Sequence, residues 1–389
     1  MYRAWQLQDQ LILDESQVLG QVELFCRGTL QLFRWPGMAY PAAAMLPGFQ
    51  AVLAALAYLG NDTSPATLRF YCFICSIAYV LMVYAVLREL TTSQNAMIRA
   101  AQTYLLPVVF PFNCLMYTDV FSLLVNMCAL WASLRRRYVV SGVFMLLSLF
   151  VRQTNVVFIF FLCGFSYFEI HGTQVTSDLV IGHLRRCWLW LVGIGLFALF
   201  VLFQERVGLD DPANHPFTIS AGNLLCSVVL VGIMFWPIFL MHCVKVMRWG
   251  RRHPTILLAI VAVSAAVAFA YSPTHPWNTV DWQLRNQLLG QLLGSYSRRV
   301  VLALILVATS LAIVARGFSR PSAWMVYVFW FLSLAPISLV EPRYQFGALL
   351  LYQVFRKSER PATELGLWAW FAVLSIALEV VMTSTRYIL

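Results

Sequence analysis

Charge is what this sequence has least of. Only 11% of its 389 residues are Asp, Glu, Lys or Arg, where soluble domains carry roughly 25%. Apolar residues make up 60%. No stretch is polar enough for a separate soluble domain. A single membrane domain over residues 1–389 is therefore expected, with 1–66 as a first lumenal loop region and 67–389 as a helical membrane core. There are nine cysteines, and most (Cys72, Cys75, Cys114, Cys128, Cys163, Cys226) sit inside apolar runs. None has zinc-ligand spacing with histidine, so they read as small buried residues. Acids are scarcer than bases, 17 against 27, for a net charge of +10. In a soluble chain that excess would suggest nucleic acid. Here the bases collect in short loops between apolar runs, so orientation in a membrane accounts for them and no nucleic-acid partner is expected.

What the sequence does have is a succession of apolar runs, from Thr67–Leu87 to Leu367–Met382. Several are shorter than the roughly 20 residues of a full span, and are either extended by their flanks, tilted or re-entrant. The expected fold is an all-α polytopic membrane protein with about 10–13 transmembrane helices. The loops between the runs alternate in character. One set (Arg88 and Arg99, Arg135–Arg137, Arg185 and Arg186, Lys245–Arg252, Arg316 and Arg320, Arg356–Arg360) holds 16 of the 27 Lys and Arg residues and reads as cytoplasmic. The other is poorer in bases and carries Asp119, Asp210, Asp211, His215, His275, Asp281 and Glu341. It reads as lumenal or exterior, together with the sequon Asn61-Asp62-Thr63. Residues 1–39 hold too many charges to span. The run Tyr40–Leu59 either crosses or packs as a non-crossing element.

Four strings stand out: Leu13-Asp14-Glu15 followed by Phe25-Cys26-Arg27-Gly28; Met116-Tyr117-Thr118-Asp119; Phe150-Val151-Arg152-Gln153-Thr154-Asn155; and Leu339-Val340-Glu341-Pro342-Arg343-Tyr344. In this order and spacing they resemble the dolichyl-phosphate-glucose α-1,2-glucosyltransferase family, from about Leu13 to about Arg356. The resemblance implies a GT-C type glycosyltransferase of the endoplasmic reticulum membrane, with its active-site loops on the lumenal face. It implies transfer of the terminal glucose from a dolichyl-phosphate sugar donor to a dolichyl-diphosphate oligosaccharide acceptor, for protein N-glycosylation. It also implies a helix ahead of the Asp14-Glu15 pair, which these 389 residues do not include. There are departures. Ser16-Gln17-Val18-Leu19-Gly20-Gln21 replaces a pattern like Ile-Phe-His-x-Pro-Gln. Trp35-Pro36…Pro47-Gly48 lacks the family's aspartate. Asp281-Trp282-Gln283-Leu284 lacks the Asn-Arg-His that follows the family's aspartate.

Transfer from a lipid phosphate needs a base for the acceptor hydroxyl, cationic or polar groups for the leaving phosphate, and a cleft that excludes water. Passage from a β-linked donor to an α product inverts the anomeric centre, so one displacement with one base suffices. By the resemblance Asp14 is the base and Glu15 orients the acceptor or substitutes for it; loop acids exposed to solvent are the plain alternative. Asp119, after Tyr117, either binds the acceptor or caps the run Val120–Leu134. Arg152, Gln153 and Asn155 either contact the dolichyl phosphate or, for Arg152, snorkel to headgroups. Glu341, Arg343 and Tyr344 either meet the donor phosphate or form an Arg–Glu pair beside an interfacial aromatic. His275 and Asp281 either flank the sugar or stand by. Asp14, Asp119, Arg152 and Arg343 are expected to line one cleft. No metal or cofactor is expected, although Asp210-Asp211…His215 has residue types that bind divalent ions. Membrane lipids are the remaining expected partners.

Two other readings stay open. A relative of the same architecture could use dolichyl-phosphate-mannose. A transporter or inactive subunit would place its key ionisable residue within a span, and Glu379 is the one acid well inside a late apolar run.

Overall fold

The computed structural model describes residues 11, 14–29, 45–205, 207, 218–273, 275–278 and 284–384. Asp210, Asp211, His215 and Asp281 lie outside the described residues, as do Trp35 and Pro36. The helices in chain order are α1 (Glu15–Cys26), α2 (Gly48–Gly60), α3 (Pro65–Arg88), α4 (Ser93–Tyr104), α5 (Thr118–Leu134), α6 (Tyr138–Val151), α7 (Val156–His171), α8 (Ser177–Arg186), α9 (Trp188–Gln204), α10 (Gly222–Met241), α11 (Cys243–Arg252), α12 (Pro254–Ala270), α13 (Leu284–Leu293), α14 (Tyr296–Arg316), α15 (Met325–Leu334), α16 (Phe346–Phe355) and α17 (Pro361–Ser384). Short 3₁₀ turns interrupt them at Phe110–Cys114, Gln153–Asn155, Pro276–Asn278, Pro321–Trp324 and Pro342–Gln345.

The protein is a multi-pass membrane protein. Among the described residues, five helices are long and apolar enough to cross: Pro65–Arg88, Gln153–His171, Gly222–Met241, Tyr296–Arg316 and Pro361–Met382. The α8/α9 and α11/α12 pairs, bent by 81° and 107°, bring the number to seven if each is one span. Four shorter apolar helices accompany them. The short runs in the sequence thus have a physical origin, because bends and 3₁₀ turns divide the apolar stretches. The crossing helix Pro65–Arg88 is clearly punctuated. Ser64 accepts the Thr67 N–H at its start (3.4 Å), and Pro65 occupies the first helical position, where no N–H partner is needed. Its 24 residues extend about 36 Å, more than the roughly 30 Å of a bilayer core.

By its contacts the chain divides into two compact units, Met1–Glu89 with Val109–His215 and Leu90–Val108 with Pro216–Leu389. In the first, α1 and α2 pack together over Val22, Leu53, Leu68 and Met116, all fully buried. The helix within Tyr40–Leu59 has 13 residues, about 20 Å, which is short of a full crossing. It buries one face, Phe49, Gln50, Leu53, Ala54 and Ala57. Its start is pressed against the end of α6, where a Cβ on Gly48 would lie 2.6 Å from the Phe150 carbonyl oxygen. Only glycine fits there.

In the second unit, α4 is bound to the ends of α16 and α17 by a sealed polar network. Arg99 donates to the carbonyls of Gln353, Val354 and Arg356 and to Ser358 Oγ (2.7 Å), satisfying acceptors that the end of α16 leaves open. Arg356 forms a two-pronged pair with Glu364 (3.0 and 2.5 Å) and also donates to Gln102 Oε1 (2.9 Å). Beside it, Glu359 accepts from Arg316, and its Oε1 lies 3.1 Å from His242 Nε2. Burial works against the charge on Glu359, but Arg316 and His242 hold its carboxyl below the usual glutamate range. Two of the bases assigned by sequence to a loop set, Arg99 and Arg356, are therefore buried in a network instead of lying open to headgroups.

Candidate active site

The two adjacent acids, Asp14 and Glu15, have different surroundings. Glu15 is fully buried. Arg69 Nε and Nη2 donate to its two oxygens at 3.1 and 2.5 Å, and the Met116 N–H donates to Oε1 at 3.0 Å. These bonds tie α1 to α3 and to the segment before α5 through the buried Glu15 carboxylate. Asp14 occupies the N-cap position of α1 and is only half-buried. Its carbonyl accepts the Gln17 and Val18 N–H groups at 3.1 Å, and its own N–H donates to Tyr117 Oη at 3.3 Å. Tyr117 is buried, edge-on to Phe112 at 5.2 Å.

Tyr117 is also the N-cap residue of α5, so Asp119 lies inside that helix rather than capping it. In the first turn a carboxylate is favoured by the helix dipole. Asp119 is buried and ion-paired with Arg152, which retains 12% side-chain exposure. Pairing offsets the cost of burying the arginine, so Arg152 does not simply snorkel. The rest of its string has other work. Gln153 Oε1 accepts the Leu46 N–H at 3.3 Å, which together with the Gly48–Phe150 approach ties Leu46-Pro47-Gly48 to the Arg152 string. The Asn155 amide nitrogen lies 2.8 Å from Ser122 Oγ, and 2.7 and 3.0 Å from Ser148 Oγ and O. Asn126 completes this cluster, meeting Asn155 at 3.3 Å and Ser148 at 2.6 Å. Asn155 thus locks α5, α6 and α7 together. The first unit therefore brings Asp14, Tyr117, Asp119 and Arg152 to the N-terminal end of α5, with Glu15, Gln153 and Asn155 as its framework.

The second unit carries His275, Glu341, Arg343 and Tyr344. Arg343 pairs with Glu341 across one 3₁₀ turn, and the Tyr344 N–H donates to the Glu341 carbonyl at 3.1 Å. His275 is buried, and its Nδ1 accepts the Trp277 N–H at 3.2 Å, which shapes its own turn. Two asparagines hold the segment leading to Glu341. Asn223 donates to the carbonyls of Ile337 and Leu339 (3.0 and 2.8 Å) and accepts from the Glu341 N–H (3.2 Å). Asn278 donates to the Ser338 carbonyl and accepts from the Val340 N–H, both at 2.9 Å. Sequence reasoning missed Asn223 and Asn278, and nothing local marks them. It missed Arg69 as well, which had a signal: a cation inside an apolar run requires a partner. Among the described residues no group of three or more His, Cys, Asp or Glu is placed to hold a metal ion.

The model of the DIE2/ALG10 family matches residues 8–354, a stretch that includes all four strings and both clusters. The chain belongs to the DIE2/ALG10 family. Two curated relatives share the printed name Dol-P-Glc:Glc(2)Man(9)GlcNAc(2)-PP-Dol alpha-1,2-glucosyltransferase. The one from Arabidopsis thaliana is 29% identical over 246 residues, covering 58% of this chain and 48% of its own length. The one from Debaryomyces hansenii is 22% identical over 325 residues, covering 71% of this chain and 68% of its own length. This DIE2/ALG10 chain thus spans about half the length of the Arabidopsis relative. No solved structure matches it.

Proposed function

We propose that this DIE2/ALG10 protein transfers glucose from dolichyl-phosphate-glucose to the lipid-linked oligosaccharide, forming the terminal α-1,2 linkage at the lumenal face of the endoplasmic reticulum. Asp14 takes the proton from the acceptor hydroxyl as that oxygen bonds to the anomeric carbon. The bond from that carbon to the phosphate oxygen breaks, dolichyl phosphate leaves, and the centre inverts. Arg152, oriented by Asp119, supplies positive charge for the dolichyl phosphate. The single observation carrying this reading, beyond family membership, is the asymmetry of the acidic pair. Glu15 is held by Arg69 and Met116 in the interior, whereas Asp14 stays half-buried beside Tyr117.

The test is the lipid-linked oligosaccharide profile of cells lacking the gene, complemented with wild-type or Asp14→Asn chains. Accumulation of the oligosaccharide one glucose short, corrected by the wild-type chain alone, is the expected result. An unchanged profile would remove the activity, and rescue by Asp14→Asn would remove the base. Supplying dolichyl-phosphate-mannose in vitro tests the alternative donor.

A further inference from the structure

The second unit contains a cavity of about 890 Å³, near the upper end of the roughly 300–1,000 Å³ typical of small-molecule sites. Leu230 and Ile233 of α10, Val301 and Ile305 of α14, and Leu374 and Leu378 of α17 form its walls. Val340 and Pro342, the residues flanking Glu341, belong to the same lining. Its polar side chains come from one place: Gln291 of α13, and Ser297 and Arg298 in the first turn of α14. An apolar groove with a single cation at its end has the chemistry of a long hydrocarbon chain ending in an anion.

The tandem arginines of that first turn divide the labour. Arg299 is committed to the backbone, donating to the carbonyls of Leu293, Ala268, Phe269 and Tyr271 at 3.0–3.2 Å. Arg298 is exposed, and its side-chain hydrogen bond among the described residues is to the Gln291 carbonyl at 3.3 Å. Arg152 and Arg343, the arginines in the motif strings, already face carboxylates. Arg298 also lies at the end of a helix long enough to cross the bilayer, the depth at which lipid phosphates reside.

We propose that this groove binds the isoprenoid stem of the donor polyprenyl phosphate and that Arg298 binds its phosphate. The inference rests on the lipid-phosphate donor of the proposed function, and it adds a binding residue outside the four strings. The stem lies along α10, α14 and α17. The groove lining continues into the residues on both sides of Glu341, so the bound lipid reaches the segment that carries Arg343.

The test uses the full chain in nanodiscs with a diazirine-bearing farnesyl phosphate as photoprobe. Labelled peptides from α10 or α17, displaced by dolichyl phosphate but not by equal phosphatidylglycerol, are expected. Arg298→Gln should weaken displacement by dolichyl phosphate about tenfold, the loss of one charge-assisted contact, and Arg298→Lys should restore most of it. Leu374→Trp, which fills the groove, should abolish labelling without lowering the melting temperature. Equal displacement by phosphatidylglycerol would make the occupant an ordinary bilayer lipid and overturn the proposal, as would labelling elsewhere or indifference to Arg298→Gln. Glucosyl transfer measured in parallel separates the two ideas. Groove binding without transfer would end the transferase reading alone, and transfer by both variants at the wild-type rate would end the groove alone.

Discussion

Both units contain arginine–carboxylate pairs, and two of these, Arg356–Glu364 in the second unit and Arg152–Asp119 in the first, are finished differently. In the second unit Arg356 and Glu364 are 2% and 0% exposed, and Arg99, Gln102 and Gln353 surround them. In the first, Arg152 keeps 12% exposure over its Asp119 partner, and Asp14 nearby is half-buried. A sealed cluster is closed off from solvent by protein, so it holds helices together. A cluster left partly open retains capacity for a substrate group. The same pair of residue types is thus sealed or left in part exposed according to what closes over it.

Stranding one partner of the sealed cluster should break this comparison most severely. Arg356→Met leaves Glu364 buried without its arginine partner, with the Gln102 amide and the Glu359 N–H still donating to it, and about 3 kcal/mol of stability should be lost. The yield of folded protein in detergent and its melting temperature both report this. Asp14→Asn should do the opposite, lowering glucosyl transfer about 10²–10⁴-fold while the melting temperature holds. A variant that also unfolds would make Asp14 part of the framework. Gly48→Ala should be intermediate, about 1–3 kcal/mol by overpacking against the Phe150 carbonyl. It should also depress activity through the Arg152 string, which a kcat measurement at saturating donor would reveal. The smallest effect concerns pH. The folded-state pKa of Glu359 is lowered, so its stabilisation is present above the ordinary glutamate value of about 4.3 and is lost as pH falls through the depressed one. Melting temperature against pH should therefore drop less steeply in acid for Glu359→Gln than for the wild type.

The fold class and the family were legible in the sequence, because scarcity of charge and four ordered strings are properties of the chain itself. The role of each string residue was not. Asp14 and Glu15 are neighbours of the same chemical type, and the difference between them comes from Arg69, 54 positions further on. Asn155 looked like a group for the lipid and is occupied by Ser122 and Ser148. The bends of 81° and 107° were hidden as well, since the sequence reads the basic stretches α8 and α11 as loops, whereas each is a helix bent against the apolar helix that follows.

The sequence by itself determined that this is a helical membrane protein of the DIE2/ALG10 family, because apolar length and motif order need no partner to be read. Only the tertiary structure decided which charges are sealed and which stay open. It buried Glu15 against Arg69, left Asp14 at a half-buried helix start, and set Arg298 in the lining of an apolar cavity. Those outcomes depend on which distant donors and side chains fold over each group, and burial arises only when the chain packs.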